Sequence, residues 1–322
     1  VVISTRIEPG TLPPALGAPW LAAESYWHPA HRPLSAWVEH APFAFWLVSV
    51  LRPTSVVELG THWGYSYFVF CEALRRLGID GTVSALDTWV GEDHAGLYGE
   101  EVYEYVAEVT RSSYPNIGRM VRGYFSDSVD RFERGSVDLL HIDGRHGYDD
   151  VVEDFTTYLP TVSDRGVVLF HDVAEHRPNF GVWRFWEEIS QQYPSFLFPH
   201  NHGLGVLVVG SSAPEPLRAL ADLAPGEVDE VRTAYATLGA VLTERVEAEK
   251  TLARAQQTSD ELAVERADNA LLRDQRDELE ERLSAVDEVA ARLEAEIAAL
   301  RASTSWRVTR PLRWAGSLRD RA

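Results

Sequence analysis

Between residues 33 and 212, short apolar runs alternate with longer amphipathic stretches. SVVEL at 55–59 follows the Pro53 break and reads as a short buried strand. TVSALD (82–87), SVDLLHID (136–143) and RGVVLFHD (165–172) repeat the pattern, and RMVRG (119–123) repeats it more weakly. The stretches between them have helical spacing. Ser66 to Leu77 forms one helix, and 147–159 a second, with Tyr148, Val151, Val152, Phe155 and Leu159 on one face. FGVWRFWEEI (180–189) gives a third, rich in aromatics, and HAPFAFWLVSVL (40–51) a mostly buried helix with Pro42 in its first turns. FLFPH (196–200) and GLGVLVVG (203–210) have no helix between them and should pair antiparallel. The expected fold is α/β: a mainly parallel seven-stranded sheet, covered on both faces and closed by an antiparallel strand pair.

The pattern changes after residue 212. Pro214, Pro216 and Pro225 mark a linker over 213–225. From 226 to 301 proline is absent, and Leu279, Leu283, Val286, Ala290, Leu293, Ile297 and Leu300 alternate spacings of four and three. That is the a/d seam of a long α-helical coiled coil. Upstream the register continues through Leu262, Asn269 and Leu272, with polar Glu265 and Arg276 also in it. An apolar seam of this kind implies a homo-oligomer. The tail, 302–322, is basic through Arg307, Arg310, Arg313, Arg319 and Arg321, with Trp306 and Trp314 among them. Such a segment suits an anionic membrane surface or a partner protein. Residues 1–32, rich in Pro, Trp and His, read as irregular.

Charge and composition narrow the function. A formal net charge of −19 disfavours nucleic acid as a partner. The single cysteine, Cys71, rules out an intramolecular disulfide and suits a reducing compartment. No signal peptide or membrane-spanning run is recognisable, so a cytoplasmic location is expected.

The chemistry gathers at the carboxyl ends of the strands. Glu58, Gly60 and Gly64 form E-x-G-x-x-x-G between the first strand and its helix. Gly60 permits a tight turn, and Gly64 would let the backbone approach a ligand. In open α/β sheets, turns here bind nucleotide-like ligands, and an acid ending the second strand, here Asp87, accepts from ribose hydroxyls. Asp143 and Asp172 end the fourth and fifth strands, with His146 and His171 close by. Two converging carboxylates suit a divalent cation, which would lower the pKa of a hydroxyl. Alternatively, His146 acts as a general base without metal. Trp63, Trp89, Tyr98, Phe180, Trp183 and Trp186 are candidates for lining the crevice, and His94 lies in the long loop after Asp87.

The ordered motifs ELGTHWGYS (58–66), ALDTWVGEDHAG (85–96), LLHIDGRHGYDDVVEDF (139–155) and GVVLFHD (166–172) resemble class I S-adenosylmethionine (SAM)-dependent methyltransferases. They look like a bacterial branch, with HIDG-x-H-x-Y and FHD signatures, associated with surface-glycan enzymes. The resemblance implies a Rossmann-like fold over residues 33–212 and SAM as cofactor. It places Glu58, Gly60 and Gly64 around the methionine portion, Asp87 on the ribose, and Ser126 or Asp127 near the adenine. It implies Asp143, His146 and His171 as catalytic candidates, and Asp143 and Asp172 as ligands for Mg²⁺ or another divalent cation. Metal-dependent sugar O-methyltransferases carry a carboxylate pair where this chain has His171 and Asp172. The implied acceptor is a sugar hydroxyl of a cell-surface glycan or its precursor. The tail resembles those of glycan-assembly proteins, which points to association with a glycosyltransferase or the inner membrane face. Two rival readings are an NAD-dependent oxidoreductase, disfavoured by the absence of G-x-G-x-x-G, and a non-catalytic scaffold.

Overall fold

The structure, a computed structural model, describes residues 18–92 and 96–309. In chain order the elements are α1 (Ala41–Leu51), β1 (Ser55–Leu59), α2 (Tyr65–Leu77), β2 (Thr82–Asp87), β3 (Gly91–Glu92), β4 (Gly96–Leu97), α3 (Glu100–Ser113) and β5 (Gly118–Arg122). They continue with β6 (Val137–Ile142), α4 (Tyr148–Tyr158), β7 (Val162–His171), α5 (Val182–Ile189), β8 (Ser195–Phe198), β9 (Leu204–Val208), α6 (Glu215–Ala221), α7 (Pro225–Ala302) and α8 (Thr304–Val308). Seven strands form one sheet in the order β5-β2-β1-β6-β7-β9-β8. The first five of these pair parallel, while β9 runs antiparallel to both β7 and β8. The expected strand pair therefore closes the sheet. β3 and β4 form a separate two-stranded hairpin in the loop after β2.

Successive strand residues face opposite ways, so the core divides by sequence parity. Val56, Val83, Leu139, Val167 and Leu169 face the layer that contains α1, α2 and α3. Val57, Leu86, Leu140, Ile142, Val168 and Phe170 face α4 and α5.

The segment 213–225 differs from the linker the prolines suggested. Residues 215–221 form α6, with Leu217 and Leu220 buried against the first layer. Pro216 lies in the first turn, where a missing N–H costs no intrahelical bond, so it starts the helix instead of breaking the chain. The first part of the expected coil also behaves differently. The chain divides into two compact units, Val1–Ala248 and Glu249–Ala322. Within the first, Val231, Tyr235 and Leu242 of α7 are buried in the same core as α1. The Tyr235 hydroxyl donates to the Trp20 carbonyl at 2.7 Å. Within the second, residues 251–302 of α7 are exposed. The expectations for residues 1–17, for His94 and for the tail beyond residue 309 lie outside the described residues. Among the described residues no helix is long and apolar enough to cross a membrane.

Candidate active site

The sheet order reverses at β1, with β2 on one side and β6 on the other. A cleft of about 540 Å³ opens there, at the carboxyl ends of the strands. Gly60 leaves β1 with φ +90°, and its N–H donates to the Leu86 carbonyl at 2.9 Å. A Cβ on Gly60 would lie 2.0 Å from the Asp143 carbonyl oxygen. Glycine is thus required by the neighbouring strand end, whose Asp143 N–H reaches Leu59 at 2.8 Å. Gly64, at φ +83°, precedes α2. A Cβ there would meet Phe68 at 3.0 Å and Val106 at 3.3 Å. Its missing Cβ makes room for the hydrophobic interior, not for a ligand as the sequence suggested; the residue still lines the cleft.

Asp87 anchors the loops on both sides of it. Oδ2 accepts from the Thr61 and His62 amides at 2.9 Å each. Oδ1 accepts from the Trp89 amide at 2.7 Å and, more distantly, from the Tyr98 hydroxyl at 3.4 Å. His62 and Trp89 hold positive φ values of 50° and 51°, a conformation the shared carboxylate helps to fix.

Glu58 does not face the cleft. It is fully buried, and Oε2 lies 2.9 Å from His141 Nδ1, itself fully buried and ringed by Trp37 and Phe70. Burial pushes the Glu58 carboxyl up, against the opposing pull of His141 and Ser66. Glu58 shares the parity of Val56, so its side chain enters the α1/α2 layer, behind the cleft wall. Asp127 is exposed and also absent from the lining, whereas Ser126 is part of it.

Asp143, His146, His171 and Asp172 do converge. His146 Nε2 lies 2.7 Å from Asp172 Oδ2 and 3.9 Å from Asp143 Oδ1. His171 Nδ1 lies 3.2 Å from Asp143 Oδ1 and 3.5 Å from Asp172 Oδ2. The His146 ring stacks on Phe180 with centroids 4.7 Å apart. Burial alone would lower the His171 pKa. The charge and hydrogen bond of Asp143, joined by Asp172, outweigh it and hold the imidazolium up to about 10. Burial likewise opposes charge on Asp172, yet the hydrogen bonds from His146 and His171 hold its carboxyl well below the usual range. Asp172 sits at φ 61°, a left-handed geometry that aspartate tolerates. One oxygen or nitrogen from each of Asp143, His146 and Asp172 lies within 4.8 Å of the others, a donor set that fits a divalent cation. Asp143 and Asp172 are the two carboxylates the sequence offered as metal ligands, and His146 stands beside them.

Of the six aromatic candidates, Trp63 and Tyr98 line the cleft and Phe180 backs His146. Trp89 is buried, with its indole N–H on the His62 carbonyl at 3.1 Å. Trp186 packs beneath Gly205 in the core, and the Trp183 indole N–H caps the Phe180 carbonyl. Sequence reasoning missed Trp37 and Phe125 in the lining, and an acidic wall of Asp150, Glu153 and Asp154 on one face of α4. The i, i+3, i+4 spacing of those acids was visible, but it reads equally as a solvated helix face.

This fold and cleft define a Rossmann-like α/β protein with its candidate site at the reversal of strand order. Residues 57–173 match the sequence profile of a family described as "Methyltransferase domain". It is 48% identical over 189 residues to "Uncharacterized protein y4gI" of Sinorhizobium fredii, a match that takes in 59% of this chain. The chain spans only 21% of the length of that curated relative. Among solved structures, the O-methyltransferase TomG from Streptomyces achromogenes, involved in tomaymycin synthesis and in complex with SAM, is 18% identical. That match covers 62% of this chain and 92% of TomG, with a TM-score of 0.42. The O-methyltransferase from Bacillus cereus in complex with SAH is 17% identical over 56% of this chain and 84% of its own, with a TM-score of 0.40.

Proposed function

We propose that this chain transfers a methyl group from SAM to a hydroxyl, most simply a sugar hydroxyl of a surface glycan or its precursor. The observation that carries this reading is the convergence of Asp87, Asp143, His146 and Asp172 on one cleft at the reversal of strand order. When bound, SAM supplies an electrophilic methyl on a sulfonium and a good leaving group. Asp87 is held in place by three backbone amides, and the long Tyr98 contact marks where a ribose hydroxyl would donate. Ser126 and Phe125 form the wall on the adenine side.

A carboxylate only accepts, so Asp172 takes the Nε2–H of His146 and orients the ring, and His146 serves as the base that takes the acceptor proton as the oxygen attacks. Asp143 and Asp172 stabilise the resulting imidazolium, while the His171 cation offsets one of their two charges. The excess negative charge also favours a sulfonium beside it. The aromatic faces of Trp63 and Tyr98 suit the C–H faces of a sugar ring. A divalent cation held by Asp143, His146 and Asp172 would instead act as a Lewis acid on the acceptor oxygen. It would compete with the His171 imidazolium for the same carboxylates.

The test is a mass-spectrometric screen of sugars and glycan extracts with SAM, using the parent and His146→Ala. A general base is worth roughly 10²–10⁴ in rate. We expect that loss in turnover with SAM affinity preserved, and parent activity that survives exhaustive EDTA treatment. Turnover that EDTA abolishes and Mn²⁺ restores would replace the general-base role with the metal one.

A further inference from the structure

Leu279, Leu283, Val286, Leu293, Ile297 and Leu300 form one stripe of α7, and each is between 47% and 62% exposed. Nothing described in the structure covers it. Burying large apolar side chains is the main drive for helix association, so the stripe needs a partner. The flanking charges say which one. With these residues in the core, Leu262, Asn269, Arg276, Leu283, Ala290 and Ile297 take position a, and Glu265, Leu272, Leu279, Val286, Leu293 and Leu300 take position d. In a parallel pair, each residue before an a position faces the residue five places further on in the other helix.

Applied to this chain paired with itself, that rule sets Glu261 against Arg266 of a second copy, Asp268 against Arg273, Arg282 against Asp287, and Glu296 against Arg301. The two remaining pairs, Gln275 with Glu280 and Val289 with Glu294, each contain a neutral residue. No like charges meet along these flanks. An antiparallel pair sets the column Glu261, Asp268, Gln275, Arg282, Val289 and Glu296 against itself, three acids to one arginine, and loses the acid-to-arginine matching of the parallel pair. Asn269 at an a position bonds across the axis of a two-stranded coil and fixes its register. Arg276 is the one cation in the core column. Within its own helix it is turned to Asp277 at 2.6 Å and Glu280 at 3.5 Å, towards the flank.

We infer that residues 262–301 pair with the same segment of a second copy of this chain, as a parallel, in-register, two-stranded coiled coil. The experiment uses the full chain. Its only native cysteine, Cys71, is buried, so an introduced thiol reports alone. Light scattering at micromolar concentration should give twice the 36.1 kDa chain mass. Ala290→Cys should cross-link to itself under mild oxidation, because only a parallel in-register pair places the two copies of residue 290 together. Arg273→Glu turns two attractive pairs per dimer into repulsive ones and should weaken dimerisation about tenfold. Adding Asp268→Arg to that variant should restore it. A monomer, a trimer, a dimer in which Ala290→Cys fails to cross-link, or a dimer indifferent to Arg273→Glu would each overturn the inference.

Discussion

The Asp154 carboxyl lies in the cleft wall beside Gly144 and takes no part in the chemistry set out above. Burial, with Asp150 and Glu153 adding negative charge, pushes it up to about 7. In the unfolded chain an aspartate titrates near ~3.9. Between those values the folded protein holds a proton that the unfolded chain has released, so this group lowers stability as pH rises from about 4 to 7. His171, held up to about 10, acts with the same sign between about 6.5 and 10. Asp154→Asn removes only the first effect. Relative to the parent, the variant should gain on the order of 2–4 kcal/mol of stability between pH 5 and pH 8. Thermal melts of both proteins at the two pH values decide this; a difference that does not change with pH would contradict it.

At the level of elements, α7 passes close to the turn before α1. A Cβ on Gly239 would sit 2.6 Å from the Glu39 Cβ and carbonyl oxygen. On an open helix surface, Gly to Ala would stabilise by about 1 kcal/mol. Here the overpacking costs ~1–3 kcal/mol, so the sign reverses. Chemical denaturation of Gly239→Ala should show a net loss of about 1–2 kcal/mol, and a gain would mean that α7 does not pack there. Most elements were legible in the sequence because periods of 2.0 and 3.6 separate strands from helices. The parity of Glu58 with Val56 was equally visible, but the E-x-G-x-x-x-G pattern drew the residue towards the ligand instead of the α1/α2 layer. The prolines misled at 213–225, because Pro216 is as much at home in a first turn as in a linker. In the first part of α7, Val231, Tyr235 and Leu242 bury against the chain's own core, and spacing alone does not distinguish that from a coil seam. The His146–Asp172 contact, between residues 26 positions apart, was beyond any local pattern.

For the whole molecule, the boundary after Ala248 matters more than the prolines. A chain ending at Ala248 should fold with the parent's cooperativity. One ending at Pro225 loses buried Val231, Tyr235 and Leu242, each worth about 1.5–3 kcal/mol, and should be far less stable or fail to fold. Equal melting of the two would contradict the packing of α7 on the core. The central claim is that the cleft holds SAM with Asp87 on its ribose, and calorimetric titration of the chain with SAM tests it most directly. We expect one saturable site per chain, competed by SAH, and affinity at least tenfold weaker in Asp87→Ala, since a hydrogen bond to a charged group is worth ~1.5–3 kcal/mol. No binding up to about 1 mM SAM, beyond a binding free energy of roughly −4 kcal/mol, would contradict the account.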